Sequence, residues 1–535
     1  MKIDNIKNII LDSKESKKLD EYTIEAGTSS ETLIERAAYA MSECIEESFN
    51  RRNRILCFAG PGNNGTDALV LGRILNGKGS KVRICKVTKT GLEYSGDEEV
   101  NFKNAEITVD GIFGTGLNRE PEGCFKKAIE LVNESYAYGS KVISVDVPSG
   151  VNSSNGKVYE NAVKADMTVT FGFMKYAHVL YPGKEYCGKV KVKDIGFDLG
   201  FFEDKASNEG NYRFAEICDI NTAVRRLPER FETSNKGSYC NALLICGCEK
   251  IPGAAVLSSN AAYRLGAGYV TLCSDKSVRK IAVGAVPELL LCEKEEIINR
   301  LNNNRYDTVL FGPGAGKGED CRKILEYLIS CKNEEKQKAD EKVLIIDADA
   351  INLLAEKLDE ITEKESFADD REKIIKRLSL LEKMFPASTV FTPHRKELSR
   401  LLSIPMERLS AGSKWVADII CEASEQIFVL KDASSMVCTK HRLFINTCGN
   451  NGMSKAGCGD VLAGMLSAIC GRCKDRNVLF ERVCSAVYLH SAAADRLKEK
   501  YSEYGVIPSE IAKTAAELIA ETNLENSRKL ASRRQ

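Results

Sequence analysis

The run GMSKAGCGDVLAG, residues 452–464, sets a glycine-rich turn directly before a stretch of small apolar residues. A helix begun there offers free N–H groups at Gly457, Cys458 and Gly459 to a phosphoryl oxyanion. Asp460, in the first turn, can reach a hydroxyl that is about to be phosphorylated. A bare GxGD more often marks only a capped helix start, but other loops of the same kind accompany this one. Lys431 ends an apolar run and leads into Asp432, Ala433, Ser434 and Ser435, a small polar loop suited to a nucleotide's phosphates or ribose. FGPGAG (311–316) and TPHRKEL (392–398) add Gly314, His394 and Glu397 after two further apolar runs.

The N-terminal half carries a second set. GPGNNGTDALV (60–70) follows an apolar run and opens a helical one, with Asn63, Asn64, Gly65 and Asp67 at the turn. VDGIFGTGLNRE (109–120) presents Asp110, and DVPSGVN (146–152) presents Asp146 and Ser149. Any one of these is an ordinary turn. Three together, each with an acid at a strand end, point to a dinucleotide-sized ligand on a Rossmann-like sheet.

The elements that must carry these loops follow from periodicity. Residues 16–49 are expected to form one helix, with Leu33, Ile34, Ala37, Ala38 and Met41 at helical spacing. Short apolar runs then alternate with helical stretches: 55–60, 81–87, 107–114, 141–150 and 167–173. That rhythm predicts a doubly wound parallel sheet. It breaks from about 198 to 235, where the helical patch ICDINTAVRRL lies, and the domain boundary is expected near 215–225. It restarts at 241–247, 268–274, 307–314, 342–350, 388–394, 426–432 and 442–449. A small-residue helix is expected at 252–268 and an apolar one from about Cys458 to Cys470. The fold class is therefore α/β with two domains, residues 1–220 and 221–535, joined as a fusion and not a duplication. The charged stretch 356–384 reads as a solvent-facing helical excursion and the last dozen residues as a frayed basic tail.

Bulk composition excludes several classes. The 535 residues are 43% hydrophobic, enough for full cores. Lys+Arg and Asp+Glu are 76 each, so no net charge draws the chain to nucleic acid or membrane. The N-terminus is too charged for a signal peptide, and no run of about 18 apolar residues suggests a span. A cytoplasmic location is expected, with the 20 cysteines as thiols. Cys470 and Cys473 form a lone CxxC, read as buried thiols, and the four histidines are too dispersed for a metal cluster.

GPGNNGTDALV, VDGIFGTGL, DVPSGVNSSNG and ADMTVTFGFMKYAHVLYPG, in this order, resemble the NAD(P)H-hydrate epimerase family over residues 1 to about 215. The resemblance implies a ligand held by Asn63, Asn64, Gly65, Thr66 and Asp67, and by Gly114, Thr115, Gly116, Leu117, Asn118, Arg119 and Glu120. It places Asp146 beside the reacting ring as a catalytic residue. It implies a potassium ion on Asn64, Asp110 and Ser149, an all-oxygen set that suits a hard, weakly held cation. The family usually reads NNGGDG, and Thr66 and Ala68 stand here for two glycines.

KGSYCNALLICGCEKIPGAA, LFGPGAG, IIDADAINLLA, VFTPHRKEL, LKDASS and GMSKAGCGDVLAG are similar to the ADP-dependent NAD(P)H-hydrate dehydratases, which are ribokinase-like, over about 226–535. By that resemblance Ala254, Gly314, His394 and Asp460 contact the hydrate, with Asp460 catalytic. Lys431, Asp432, Ala433, Ser434, Ser435 and Gly459 hold the adenine nucleotide. Asp432, Ser434, Ser435 and Cys458 depart from the usual residues, and Asp432 is expected to add negative charge near the phosphates. The implied co-substrate is ADP with Mg²⁺, and the implied partners are NADHX, NADPHX and adenine nucleotide. A homo-oligomer is expected.

The two halves join in one chemical logic. Hydration of the nicotinamide ring makes a carbinol in two epimers, and hydroxide leaves poorly. Phosphorylation makes it a leaving group, and an epimerase supplies the epimer that fits. The alternatives are a ribokinase-like small-molecule kinase, which would leave a stable phosphoester, and an N-terminal half that only binds.

Overall fold

The computed structural model describes residues 8–49, 53–208, 214–303, 306–333, 342–410 and 412–532. Two compact units divide the chain, Met1–Glu216 and Ile217–Gln535.

In the first unit, seven strands form one sheet in the spatial order Leu92–Gly96, Lys81–Val87, Arg54–Ala59, Ile107–Gly111, Lys141–Val145, Met167–Phe171 and Lys189–Lys193. All neighbours are parallel except Leu92–Gly96, which returns antiparallel on Lys81–Val87. From Arg54–Ala59 the chain first winds one way and then the other. The order therefore reverses between Arg54–Ala59 and Ile107–Gly111, which opens a ligand crevice at their C-terminal ends. A short ladder sits beside this sheet: Ile9–Leu11 runs parallel to Met174–Lys175 and antiparallel to Ala215–Glu216.

The expected single helix over 16–49 is two helices, Ser13–Glu25 and Ser30–Ser48. Gly27 takes a left-handed φ of 106°, and the Ser29 hydroxyl accepts from Thr32 N to cap the second helix. The signal was GTSS, a glycine stop followed by a serine cap.

The second unit repeats the architecture with different connections. Its strand order is Leu290–Cys292, Tyr269–Cys273, Asn241–Ile245, Thr308–Phe311, Val343–Ile346, Thr389–Phe391, Ile427–Leu430, Met436–Thr439 and Arg442–Ile445. The first seven are parallel and the last two antiparallel. Here the reversal falls between Asn241–Ile245 and Thr308–Phe311. Pro252–Arg264 and Cys458–Ile469 are the two small-residue helices, and the Ser258 hydroxyl on the first donates to the Asp460 carbonyl on the second at 2.9 Å.

Two readings of this unit change. The 356–384 stretch is no solvent-facing excursion. It spans parts of the helices Ala348–Thr362 and Asp370–Met384, which bury Leu358, Ile374, Leu378 and Leu381. Arg377, also buried, pairs with Asp359 and donates to the carbonyls of Arg400 and Leu401. The charges lie on the outer face of amphipathic helices, which the run of charge concealed. The tail is likewise helical, within Pro508–Ser532, and its last three residues lie outside the described ones. Cys470 and Cys473 are buried free thiols. Among the described residues no helix is long and apolar enough to cross a membrane.

Candidate active sites

In the first unit, Asn63 opens the helix Asn63–Gly77 straight after the strand Arg54–Ala59. The Asn64 amide donates to the Val145 carbonyl at 2.6 Å and lies 3.5 Å from that of Phe113. Gly114 must be a glycine, because a Cβ there would sit 2.2 Å from Asn64 Oδ1. Asp110 is fully buried. It accepts from the Ser144 hydroxyl at 2.8 Å, the Ser149 hydroxyl at 2.6 Å and Ser149 N at 2.9 Å. Burial pushes its carboxyl up, against these hydrogen bonds. Asn64, Asp110 and Ser149 thus gather around the Phe113 backbone, whose N–H donates to the Ser149 hydroxyl at 2.9 Å.

The crevice opens into a cavity whose polar lining is Ser16, Asp20, Ser30, Asn63, Asn64, Asp67, Thr115, Asp146 and Lys175. Leu19, Leu33, Phe171 and Phe197 contribute to the apolar lining. Asp146 follows the strand Lys141–Val145 at a positive φ of 63°, a strained backbone for a non-glycine residue. The strain is held from three sides. Lys175 Nζ donates to Asp146 Oδ1 at 2.6 Å, and the Thr170 hydroxyl donates to the same oxygen at 2.7 Å. His178 Nδ1 accepts from Lys175 N at 3.0 Å, so its Nε2 carries the proton and donates to the Asp146 carbonyl at 2.8 Å. Burial and the Lys175 charge lower His178 to about 4, which keeps that tautomer neutral. Burial opposes ionisation of Asp146, but Lys175 outweighs it and the carboxyl lies below its ordinary range. Burial, with Asp146 and Asp20 nearby, raises Asp67 well above its ordinary value.

Not every expected ligand residue faces the cavity. Thr66 is exposed, clear of the crevice, and Ala68 is buried in the core. Leu117 is buried, and the Glu120 carboxylate is committed to the N–H groups of Glu160 and Asn161 at 3.2 and 3.1 Å. Gly116, Asn118 and Arg119 are exposed beyond Thr115. Sequence reasoning missed Asp20, Lys175 and His178, of which only Lys175 and His178 lay inside a motif already noticed.

The second unit gathers its groups at the ends of consecutive parallel strands. Asp347 follows Val343–Ile346, His394 follows Thr389–Phe391 and Lys431 follows Ile427–Leu430. Gly312 makes room for the first: at φ 128°, a Cβ there would lie 1.8 Å from the Asp347 carbonyl. Lys431 Nζ donates to Asp347 Oδ1 at 2.7 Å and lies 3.9 Å from Glu397. It also sits beside Gly459, where an added Cβ would be 3.4 Å away. His394 caps the helix Arg395–Leu402, its Nδ1 accepting from Lys396 N and Glu397 N at 3.1 and 3.2 Å. Burial and then Lys431 hold His394 below its usual value, hence neutral. Burial raises Glu397, against the pull of Lys431. Asp460 is raised to about 6, first by burial and then by the Asp347 charge, with Lys431 opposing. Gly314 and Ala254 abut at the sheet's reversal point, where a Cβ on Gly314 would be 2.9 Å from that of Ala254.

The expected cost of Asp432 is offset locally. Arg395 Nε donates to Asp432 Oδ2 at 2.7 Å, and its Nη2 lies 2.7 Å from Oδ1, a bidentate pair that neutralises the extra charge. The Ser435 hydroxyl donates to the Asp432 carbonyl at 3.1 Å, and Ser434 is buried, so the loop is braced from within. Cys458 is buried and its thiol is raised by burial, as fits a small space-filling residue. Asp347 and Asp349 lay within a motif already noticed but were not read as site residues. Asp349 accepts from Gly316 N at 2.9 Å.

Two α/β units, each with carboxylates and glycine loops gathered at the C-terminal ends of its parallel strands, define a two-site enzyme of small-molecule metabolism. Residues 242–517 match the family described as NAD(P)H-hydrate dehydratase. Residues 30–103 and 85–177 match the family described as YjeF-related protein N-terminus. A bifunctional NAD(P)H-hydrate repair enzyme from Thermofilum pendens is 30% identical over 517 residues, 90% of each chain. One from Escherichia coli is 24% identical over 505 residues, 91% of this chain and 89% of that one. The solved ADP/ATP-dependent NAD(P)H-hydrate dehydratase from Bacillus subtilis, co-crystallised with ATP and Mg²⁺, is 23% identical. It covers 57% of this chain and 97% of its own, at a TM-score of 0.45. The chain belongs to the bifunctional NAD(P)H-hydrate repair enzyme family.

Proposed function

We propose that the first unit interconverts the R and S hydrates of NADH and NADPH, and that the second dehydrates the S epimer with an adenine nucleotide, releasing phosphate and, from ADP, AMP. One observation carries this: each unit holds its own set of opposed acid and base groups at its own strand-edge site. In the first, the ionised Asp146 faces the protonation-prone Asp67 across one cavity. In the second, Asp460 lies in the first turn of the helix Cys458–Ile469, within the field of Asp347 and Lys431.

Asp460 takes the proton of the carbinol hydroxyl as that oxygen attacks the terminal phosphoryl group. The N–H groups of the turn before it, with Lys431, hold the nucleotide's phosphates. Ala254, Gly314 and His394 shape the hydrate pocket. Mg²⁺ would neutralise phosphate charge. Among the described residues no group of three His, Cys, Asp or Glu side chains is arranged to hold a metal alone. The nucleotide phosphates themselves would carry the ion. Potassium in the first unit fits the donors: Asp110 is buried among neutral hydrogen-bond donors, so a cation held with Asn64 and Ser149 would offset its charge. It would supply a fixed positive field near the ligand.

The full-length protein, given mixed epimers with ADP or ATP and Mg²⁺, should restore the reduced-nicotinamide absorbance beyond the share held by one epimer, in step with phosphate release. Without nucleotide it should only interconvert epimers, faster in potassium than in a large organic cation, and Asp110→Ala should lose that preference. A stable phosphoester without recovered absorbance would mean a kinase, and recovery that stops after one epimer would mean a binding module in the first half.

The Asp432–Arg395 pair gives a sharper expectation. Arg395→Ala should raise the nucleotide KM about tenfold, equivalent to about 1.4 kcal/mol, because Asp432 is left facing the phosphates unpaired. Arg395→Ala combined with Asp432→Ala should recover most of that loss in steady-state kinetics.

A further inference from the structure

The helix Ser13–Glu25 is fastened at both ends. Asp12 accepts from Glu15 N, and Glu15 accepts from Asp12 N, each at 2.7 Å, which closes a capping box. Ser13 N donates to the Ser154 hydroxyl at 3.0 Å. Near the other end Asp198 N donates to the Thr23 hydroxyl at 3.1 Å, and the Tyr22 hydroxyl donates to Asp204 at 2.7 Å. Between these anchors Asp20 lines the cavity that also holds Asp67, Asp146 and Lys175. Lys175 is committed to Asp146, Thr170 and the Phe171 carbonyl. Among the described residues Asp20 makes no ion pair of its own. A carboxyl held on a rigid helix over a ligand cavity, with its nearest cation already engaged, is placed to carry a proton.

The hydrate's carbinol carbon is bonded to the ring nitrogen. Inversion through loss of hydroxide would pass through an iminium only one proton from the dehydrated ring, whereas inversion that keeps the carbinol oxygen opens the ring. The hydroxyl proton leaves to a base and the C–O bond becomes a carbonyl. The C–N bond breaks, and its electron pair stays on nitrogen, which takes a proton from an acid. After rotation the nitrogen adds to the other face of the carbonyl, and both protons return. One base and one acid are needed, and no oxidant or co-reactant.

We infer that Asp20 is the acid, the residue that protonates the ring nitrogen while Asp146 receives the hydroxyl proton. The inference rests on the epimerase reading of this cavity. The electrostatics agree with it: burial raises Asp20 to about 6, with Lys175 opposing and the Asp146 and Glu21 charges adding. Asp67 lines the same cavity but is buried, whereas Asp20 is half-buried and so open to exchange a proton.

The test follows interconversion of each purified epimer by the full-length protein, without nucleotide, at pH values on both sides of about 6. Asp20→Asn should lower kcat about 10²–10⁴-fold with KM little changed. In the wild type kcat should fall as pH rises, because Asp20 must be protonated. That alkaline fall should vanish in Asp20→Asn and return, with part of the rate, in Asp20→Glu. Calorimetry of the full chain, with the N-terminal unit melting as in the wild type, controls for folding. If Asp20→Asn keeps more than about a tenth of wild-type kcat, or keeps the alkaline fall, Asp20 is not the acid. If the wild type fails to interconvert epimers above the uncatalysed rate, the epimerase reading itself fails.

Discussion

Asp460→Asn is expected to lower nucleotide-dependent dehydration about 10²–10⁴-fold while nucleotide binding survives. The two properties separate because different groups supply them. Phosphate is expected to be held by the turn at Gly457, Cys458 and Gly459 and by Lys431; the N–H groups of the turn stay in place without a charge at position 460, and Lys431 keeps Asp347 as its ion-pair partner. The backbone of residue 460 stays fixed by the Ser258 hydroxyl at 2.9 Å. With Asp460 near 6, the wild-type rate should rise with pH through that value and then level off, because the base must be ionised. The variant should show no such rise. The stability sign is opposite. A carboxyl raised in the fold destabilises it once ionised, so Asp460→Asn should be more stable than wild type above about pH 6 and lose that advantage below it. Single-turnover kinetics, nucleotide titration and melting on one preparation check all three. A variant with more than about a tenth of wild-type turnover removes Asp460 from the proton transfer.

Lys175→Met is expected to destabilise the N-terminal unit by about 3–5 kcal/mol, the usual result of breaking a buried pair from one side. Lys175 is buried and its Nζ reaches Asp146, Thr170 and the Phe171 carbonyl at 2.6, 2.9 and 3.2 Å. Without it Asp146 keeps its strained backbone and its burial but loses its cation. In the wild type Asp146 is depressed, so its contribution is full at neutral pH and is lost as pH falls through the folded value. In Lys175→Met the carboxyl is raised, and the variant should gain stability on mild acidification instead. Calorimetry of the full chain at two pH values tests this. Adding Asp146→Asn to Lys175→Met should restore much of the loss. If Lys175→Met melts like wild type, the pair does not hold the unit together.

The parallel core of each unit was legible because a strand buried on both faces must be a continuous apolar run. RILCFA, TVLF, VLII and IFVL are mainly apolar and buried, and each leads to residues of a candidate site. The edges were not. Leu92–Gly96 is exposed over four of its five residues, Lys189–Lys193 reads KVKVK, and Leu290–Cys292 is only three residues long. Such segments have too little burial to declare themselves.

The glycine loops, and the carboxylates at the strand ends that follow them, were fixed by local sequence, because a tight turn and a helix start need particular residues within a few positions. Asn64, Asp110, Asp146, Lys431 and Asp460 were all singled out that way. What each carboxylate is paired with was not. Lys175 reaches Asp146 across 29 residues, Arg395 reaches Asp432 across 37, and Lys431 reaches Asp347 across 84. Periodicity reports only the neighbours a residue has along its own helix or strand. The order of strands in the sheet decides which loops meet, and with it which acids are held ionised by a lysine and which are left to burial to hold their protons.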